Sequence, residues 1–255
     1  MLGRPIGHSL SPRLHRAAYA ALGLDWAYDA VDCGEDDLAA LLDGLDASWA
    51  GLSLTMPLKQ AVLPLLDEVS ELAAAVAAAN TVVLRDGRRS GDNTDVHGMV
   101  AALRESGVTG AERPVVLGGG ATARSALAAL AELGARAPVL VVRSAPHDTM
   151  AAAERLGVRP VLASYDPAVL ADCDLLVSTL PAGAADALAP HVAGVPALLD
   201  VVYDPWPTPL AAACRGTVVG GADMLLHQAA AQVELMTGRT APLEAMRAAL
   251  PRLKG

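Results

Sequence analysis

The sequence predicts an α/β fold of two domains: an N-terminal α/β domain, then a domain on a doubly wound parallel sheet, followed by a C-terminal helix. Three observations carry this. Beyond residue 95, short apolar runs alternate with helix-like stretches at the spacing of βα units. A glycine-rich turn, Gly118-Gly119-Gly120, follows a strand-like run and opens a helix. The chain of 255 residues, 53% apolar, is long enough to bury a real core in each of two modest domains.

Element by element, Ser11-Pro12 suits an N-cap and first helical position. Leu14, Ala17, Ala18 and Leu22 follow at helical spacing, and Gly23 ends that helix. Residues 26–31 read as a strand and 36–45 as a helix. Residues 51–55 form a second short strand running into a loop with Pro57 and Lys59. Residues 67–78 read as a helix, and 81–84, before the Asp86-Gly87 turn, as a strand. Past Asn93-Thr94-Asp95 come a helix over 96–106, a strand over 115–117 and a helix to Leu133, closed by Gly134. Strands over 139–142, 175–178 and 197–202, with a helix over 149–156, continue the series. Residues 216–221 lead into a last helix over 224–236, and the domain divisions fall near residues 95 and 221.

The net charge of −9 argues against sequence-independent nucleic-acid binding, which needs Lys and Arg to replace condensed counterions. It leaves room for one local basic site on a phosphorylated ligand. The longest stretches without a charged residue, 72–84 and 187–199, are 13 residues, short of the ~20 a membrane span needs. Cys33, Cys173 and Cys214 read as reduced thiols, and the six histidines form no metal-binding pattern. No basic-then-apolar leader opens the chain, so no membrane, no metal and a cytoplasmic location are expected.

Residues 115–123 read as a strand, the pattern G-x-G-x-x-A and a helix. Gly118 permits the tight turn, and Gly120 lets a pyrophosphate approach the backbone. Ala123 lets the helix pack on the strand, while the N–H groups from Gly119 through Ala121 and Thr122 face the anion at the helix start. The next strand ends in Val142-Arg143-Ser144. An NAD site usually carries an acid there for the ribose 2′-hydroxyl, whereas Arg143 can pair with a 2′-phosphate. NADP is the expected cofactor.

The motifs resemble the shikimate dehydrogenase family over nearly the whole chain. Residues 3–12 (GRPIGHSLSP) look like its substrate-carboxylate segment and 51–59 (GLSLTMPLK) like its lysine loop. Asn80-Thr81 and residues 91–95 (GDNTD) match its asparagine and aspartate elements, and Tyr203 and Gln228 its C-terminal substrate contacts. The resemblance implies that residues 222–255 rejoin 1–95 as a substrate domain, leaving 96–221 as a Rossmann-like NADP domain. It implies reversible NADPH-dependent reduction of 3-dehydroshikimate to shikimate, on the route to chorismate and the aromatic amino acids. Lys59 is then the catalytic cation at the developing alkoxide, and Asp95 orients it. Ser9 and Ser11 would hold the substrate carboxylate at a helix start, and Thr55, Asn80, Tyr203 and Gln228 its hydroxyls. Gly221 and Met224 would lie on the cofactor, with nicotinamide between the domains.

The sequence departs from the family pattern at Ser53 and Val142, where Asn is common, and at Ala77 and Asp223, where Gly is common. Only Met1 and Leu2 precede Gly3, where the family has a full first strand. A quinate/shikimate or aminoshikimate-type dehydrogenase using NAD or NADP is the near alternative. A non-catalytic nucleotide-binding regulator is the distant one, and the Lys59/Asp95 pair argues against it. A monomer and a homodimer are both compatible with the sequence, since no heptad marks an interface.

Overall fold

Short apolar runs broken by glycine, proline and charge give the first part of the chain short elements. The computed structural model describes residues 1–251. In order come β1 (Leu2–Gly3), α1 (Ser11–Ala21), β2 (Val31–Asp32), α2 (Glu35–Asp43), β3 (Gly51–Ser53), α3 (Leu58–Ala61), β4 (Glu68–Val69), α4 (Glu71–Val76), β5 (Thr81–Arg85), β6 (Arg88–Asp92) and α5 (Thr94–Glu105). The nucleotide-type half adds β7 (Pro114–Leu117), α6 (Ala121–Glu132), β8 (Val139–Val141), α7 (His147–Arg155), β9 (Val161–Ala163), β10 (Leu175–Ser178), β11 (Ala197–Asp200), α8 (Pro209–Ala213) and β12 (Thr217–Gly220). The helices α9 (Gly221–Thr237) and α10 (Leu243–Ala248) follow. The chain divides into two compact units, Met1–Thr94 with Leu226–Pro251, and Asp95–Leu225.

The second unit holds a six-stranded sheet, all parallel, in the order β12-β11-β10-β7-β8-β9. That order winds outward both ways from β7, so the switch point lies between β7 and β10, where open α/β sheets bind ligands beyond the strand ends. Its strands are apolar on both faces because helices cover both. Leu117, Leu176 and Leu198 are wholly buried, with Leu170 and Leu188 packed beside them. Asp200 ends β11 buried. Its carboxylate accepts from Val202 N–H at 3.2 Å and Thr208 Oγ1 at 2.7 Å, pinning both ends of the segment that carries Tyr203. Burial raises this carboxyl above the ordinary range, and the Thr208 hydrogen bond opposes the rise.

The first unit has a four-stranded sheet, β3-β5-β6-β4, extended by the pair β1-β2 through a bridge between Leu2 and Leu54. Leu2, Leu38, Leu42, Leu54, Leu58 and Val82 form its core. α10 packs on α1, and both belong to this unit with most of α9.

Three local expectations are corrected. Residues 26–31 are not a strand: only Val31–Asp32 pairs, against Leu2–Gly3, and Trp26 is left partly exposed. Residues 67–78 are not one helix, because Glu68–Val69 pairs with Ser90–Gly91 and the helix starts only after Ser70, whose hydroxyl accepts Ala73 N–H. That helix ends at Ala77 with φ 50°, a left-handed conformation that costs a non-glycine residue roughly 1–2 kcal/mol. Ser11 is not the N-cap of α1: Leu10 occupies that position, no side chain caps the end, and Ser11 is its first helical residue. Four strands escape the pattern altogether, among them β1, only two residues long. β6 is mostly polar, β9 is an exposed edge, and β12 is a short edge with an exposed first residue.

His15 is fully buried on α1, its ring stacked on Tyr28 with centroids 4.0 Å apart. Burial pushes its imidazole down to about 3, against the opposing hydrogen bond to Gln232. The neutral ring is the folded form, so its contribution is complete above the unfolded value of about 6.5 and fades as pH falls from there toward 3. Unfolding free energy should therefore drop with a slope of up to about 1.4 kcal/mol per pH unit from this one group. Urea midpoints taken between pH 7 and 4.5 should show a shallower decline for His15→Gln than for the parent. Parallel declines would remove His15 as the source.

Candidate active site

The second unit offers a cavity of about 690 Å³, within the usual range for cofactor sites. Gly118, Gly119, Arg143, Ser144 and His147 line it, as does Asp148. Gly118 has φ 110°, and a Cβ there would meet Thr179 Oγ1 at 2.5 Å. Both facts require glycine where β7 and β10 end side by side. A Cβ on Gly119 would press on Val142 and Pro146 at 3.1 and 3.2 Å, whereas one on Gly120 would meet open space. Gly120 is the extended N-cap of α6, and no side chain caps that helix. Bare N–H groups and the dipole therefore face the glycine turn, a setting that suits a pyrophosphate. Ala121 and Thr122 form the first helical turn, and Ala123 is wholly buried against the sheet. Arg143 and Ser144 are exposed at the end of β8. These residues fit an NADP molecule: a close backbone approach, an uncapped helix start and a guanidinium beside them. Gly221 and Met224 do not line this cavity. They open α9 after β12, where a Cβ on Gly221 would run into the Val201 carbonyl.

In the first unit, Asn80 is the hub. It is 1% exposed, and its Oδ1 accepts from Thr94 N–H at 2.8 Å while its Nδ2 donates to Gln228 Oε1 at 3.2 Å. Lys59 is half-buried on α3, and its carbonyl accepts Ala79 N–H at 2.8 Å, one residue before Asn80. Asp95 directly follows Thr94 on the first turn of α5 and is buried. Lys59 is thus bonded to the residue before Asn80, and Thr94, the residue before Asp95, to Asn80 itself. Thr55 is half-buried beyond β3, its N–H bonded to the Leu2 carbonyl and its carbonyl to Leu58 N–H. Ser9 Oγ accepts Ser11 N–H at 3.3 Å, and both serines sit at the start of α1. Tyr203 belongs to the second unit, half-buried in the segment after β11.

Pattern reading missed several supporting residues. Thr149 Oγ1 donates to the Gly119 carbonyl at 2.7 Å and so holds the glycine turn. Ser53, Thr81 and Gln232 hydrogen-bond behind Asn80. Thr149 gives no sequence signal. Gln232 does, as a polar residue four after Gln228 and so on the same face of the helix. Among the described residues no group of three or more His, Cys, Asp or Glu could hold a metal ion, and no helix is long and apolar enough to cross a membrane.

Residues 1–82 match the family model described as the shikimate dehydrogenase substrate binding domain, and 221–250 that of the shikimate 5′-dehydrogenase C-terminal domain. Shikimate dehydrogenase (NADP(+)) of Halobacterium salinarum is 39% identical, over 98% of this chain and 97% of that one. The chain belongs to the shikimate dehydrogenase family. Among solved structures, the shikimate dehydrogenase of Mycobacterium tuberculosis superposes with a TM-score of 0.91 at 44% identity, covering 98% of each chain. The enzyme of Thermus thermophilus in complex with NADP(H) and shikimate has a TM-score of 0.83 at 35% identity, again over 98% of each.

Proposed function

We infer that this protein is an NADP-dependent shikimate dehydrogenase, interconverting 3-dehydroshikimate and shikimate. NADPH supplies the hydride. The observation that carries the reading is the convergence on Asn80: Lys59 is anchored through Ala79 and Asp95 through Thr94, beside the Gln228 carboxamide. A buried set of amides and hydroxyls suits a cyclic polyol, and a lysine suits a carbonyl that must become an alkoxide. Lys59 stabilises that oxygen and protonates it, and Asp95 orients the ammonium and accepts from a substrate hydroxyl. Ser9 and Ser11 take the substrate carboxylate at the start of α1. Thr55, Asn80, Tyr203 and Gln228 serve its hydroxyls. Residues 1–95 with 222–255 are the substrate domain and 96–221 the NADP domain. There Gly118 through Ala123 hold the pyrophosphate and Arg143 and Ser144 the 2′-phosphate, with Gly221 and Met224 on the nicotinamide side. The enzyme works in the cytoplasm as a monomer or homodimer.

The test is the absorbance of reduced cofactor at alkaline pH, with shikimate or quinate against NADP or NAD. Shikimate with NADP should give the highest kcat/KM. A higher value on quinate would reassign the substrate, and silence in all four combinations would leave a nucleotide-binding regulator.

A further inference from the structure

Behind Asn80 runs a buried line of hydrogen bonds whose donor direction is fixed by two main-chain groups. The Asn80 carbonyl can only accept, so the Gln232 atom 3.1 Å from it is Nε2. Gln232 Oε1 then faces Ser53 Oγ at 2.8 Å and His15 Nε2 at 3.2 Å, and both must donate to it. Ser53 has spent its proton and accepts from Tyr28 Oη at 2.6 Å. In the other direction, Gln232 Nε2 donates to Thr81 Oγ1 at 3.0 Å, and Thr81 Oγ1 donates to Asn80 Oδ1 at 2.8 Å. The Thr94 N–H can only donate, which independently makes that Asn80 atom the oxygen. Asn80 Nδ2 therefore faces Gln228 Oε1. The line reads Tyr28, Ser53, Gln232, Thr81, Asn80, Gln228, each hydroxyl or amide donating to the next. Every named residue belongs to the first unit, and Gln232 is 1% exposed with both carboxamide atoms doubly bonded.

We propose that Gln232 is a positioning residue for substrate recognition, setting the orientation of the Asn80 and Gln228 carboxamides through Thr81 and the Asn80 carbonyl. Buried amides can present either face, and a flipped Asn80 would turn its oxygen toward Gln228, where Nδ2 now donates. A flip would set Asn80 Nδ2 against the Thr94 N–H, and Gln232 adds to the cost because its Nε2 donates to Thr81 Oγ1 and so leaves the Thr81 proton to be given to Asn80 Oδ1. The inference rests on the reading of Asn80 and Gln228 as substrate groups.

Gln232→Met keeps shape and volume while removing all four hydrogen bonds, and Thr81→Val removes only the hydroxyl link. Gln232→Met should raise the KM for shikimate about tenfold and leave kcat within threefold and the KM for NADP within twofold, because lost ground-state alignment acts on substrate binding. Thr81→Val should raise the same KM about threefold. In an Asn80→Ala background, Gln232→Met should add less than twofold, since its route is already cut. A merely structural glutamine would multiply with Asn80→Ala, and that result overturns the proposal. So does an unchanged KM for shikimate in Thr81→Val, which decides the matter even where Gln232→Met fails to fold. If Asn80→Ala itself leaves that KM unchanged, the substrate-site reading falls and the proposal with it; if Asn80→Ala is impaired and the other two are not, only the proposal falls.

Discussion

Lys59→Ala should lower kcat by about 10³-fold, within the span seen when a single general acid or alkoxide-stabilising group is removed. The side chain sits on α3, a helix of four residues anchored by Leu58, which is wholly buried, and by the bond from Ala79 N–H to the Lys59 carbonyl. Neither anchor uses the ammonium, so alanine preserves the backbone and the melting temperature should move little. The glycine turn and Arg143 belong to the other unit, so the dissociation constant for NADPH should stay within twofold of the parent. Stopped assays with excess protein separate a slow step from a missing one. Turnover within threefold of the parent, in a variant that binds NADPH normally, would remove Lys59 from the chemistry.

That residue was visible in the sequence only through its neighbours, and the same contrast runs through the whole fold. The parallel sheet was legible because β7, β10 and β11 are continuous apolar runs bounded by glycine, proline or charge, as strands covered on both faces must be. Its edge β9 was not, since Val161 and Leu162 are 57% and 49% exposed and nothing in their pattern separates them from a loop. The first unit resisted more. Strands of two or three residues carry no periodicity, and the alanine-rich run from Ala73 reads as helix through residue 78, past the left-handed turn at Ala77. The cofactor turn could be read residue by residue, because a backbone approach needs glycine at fixed offsets. The polar cluster could not. Ser53, Thr81, Asn80 and Gln232 come from β3, β5 with its preceding residue, and α9, so only tertiary structure brings them together.

Arg143→Asp should raise the KM for NADPH by about 10²-fold and that for NADH by less than threefold. Arg143 lies exposed just past β8 on the wall of the cavity that holds the glycine turn, where no acid follows the strand. A guanidinium pairing with a 2′-phosphate is a charge-assisted contact of roughly 1.5–3 kcal/mol, and a carboxylate in its place adds repulsion to the loss. Asp148 already lines the same cavity, so the variant would put a second acid on its wall. NADH carries a hydroxyl there and is spared, as an acid at this point can accept from it. Because the group is exposed, the NADPH penalty should shrink as ionic strength rises from 0.01 to about 1 M, while the NADH value stays flat. Equal losses for both cofactors, or a penalty indifferent to salt, would mean that Arg143 supports the loop and does not read the phosphate.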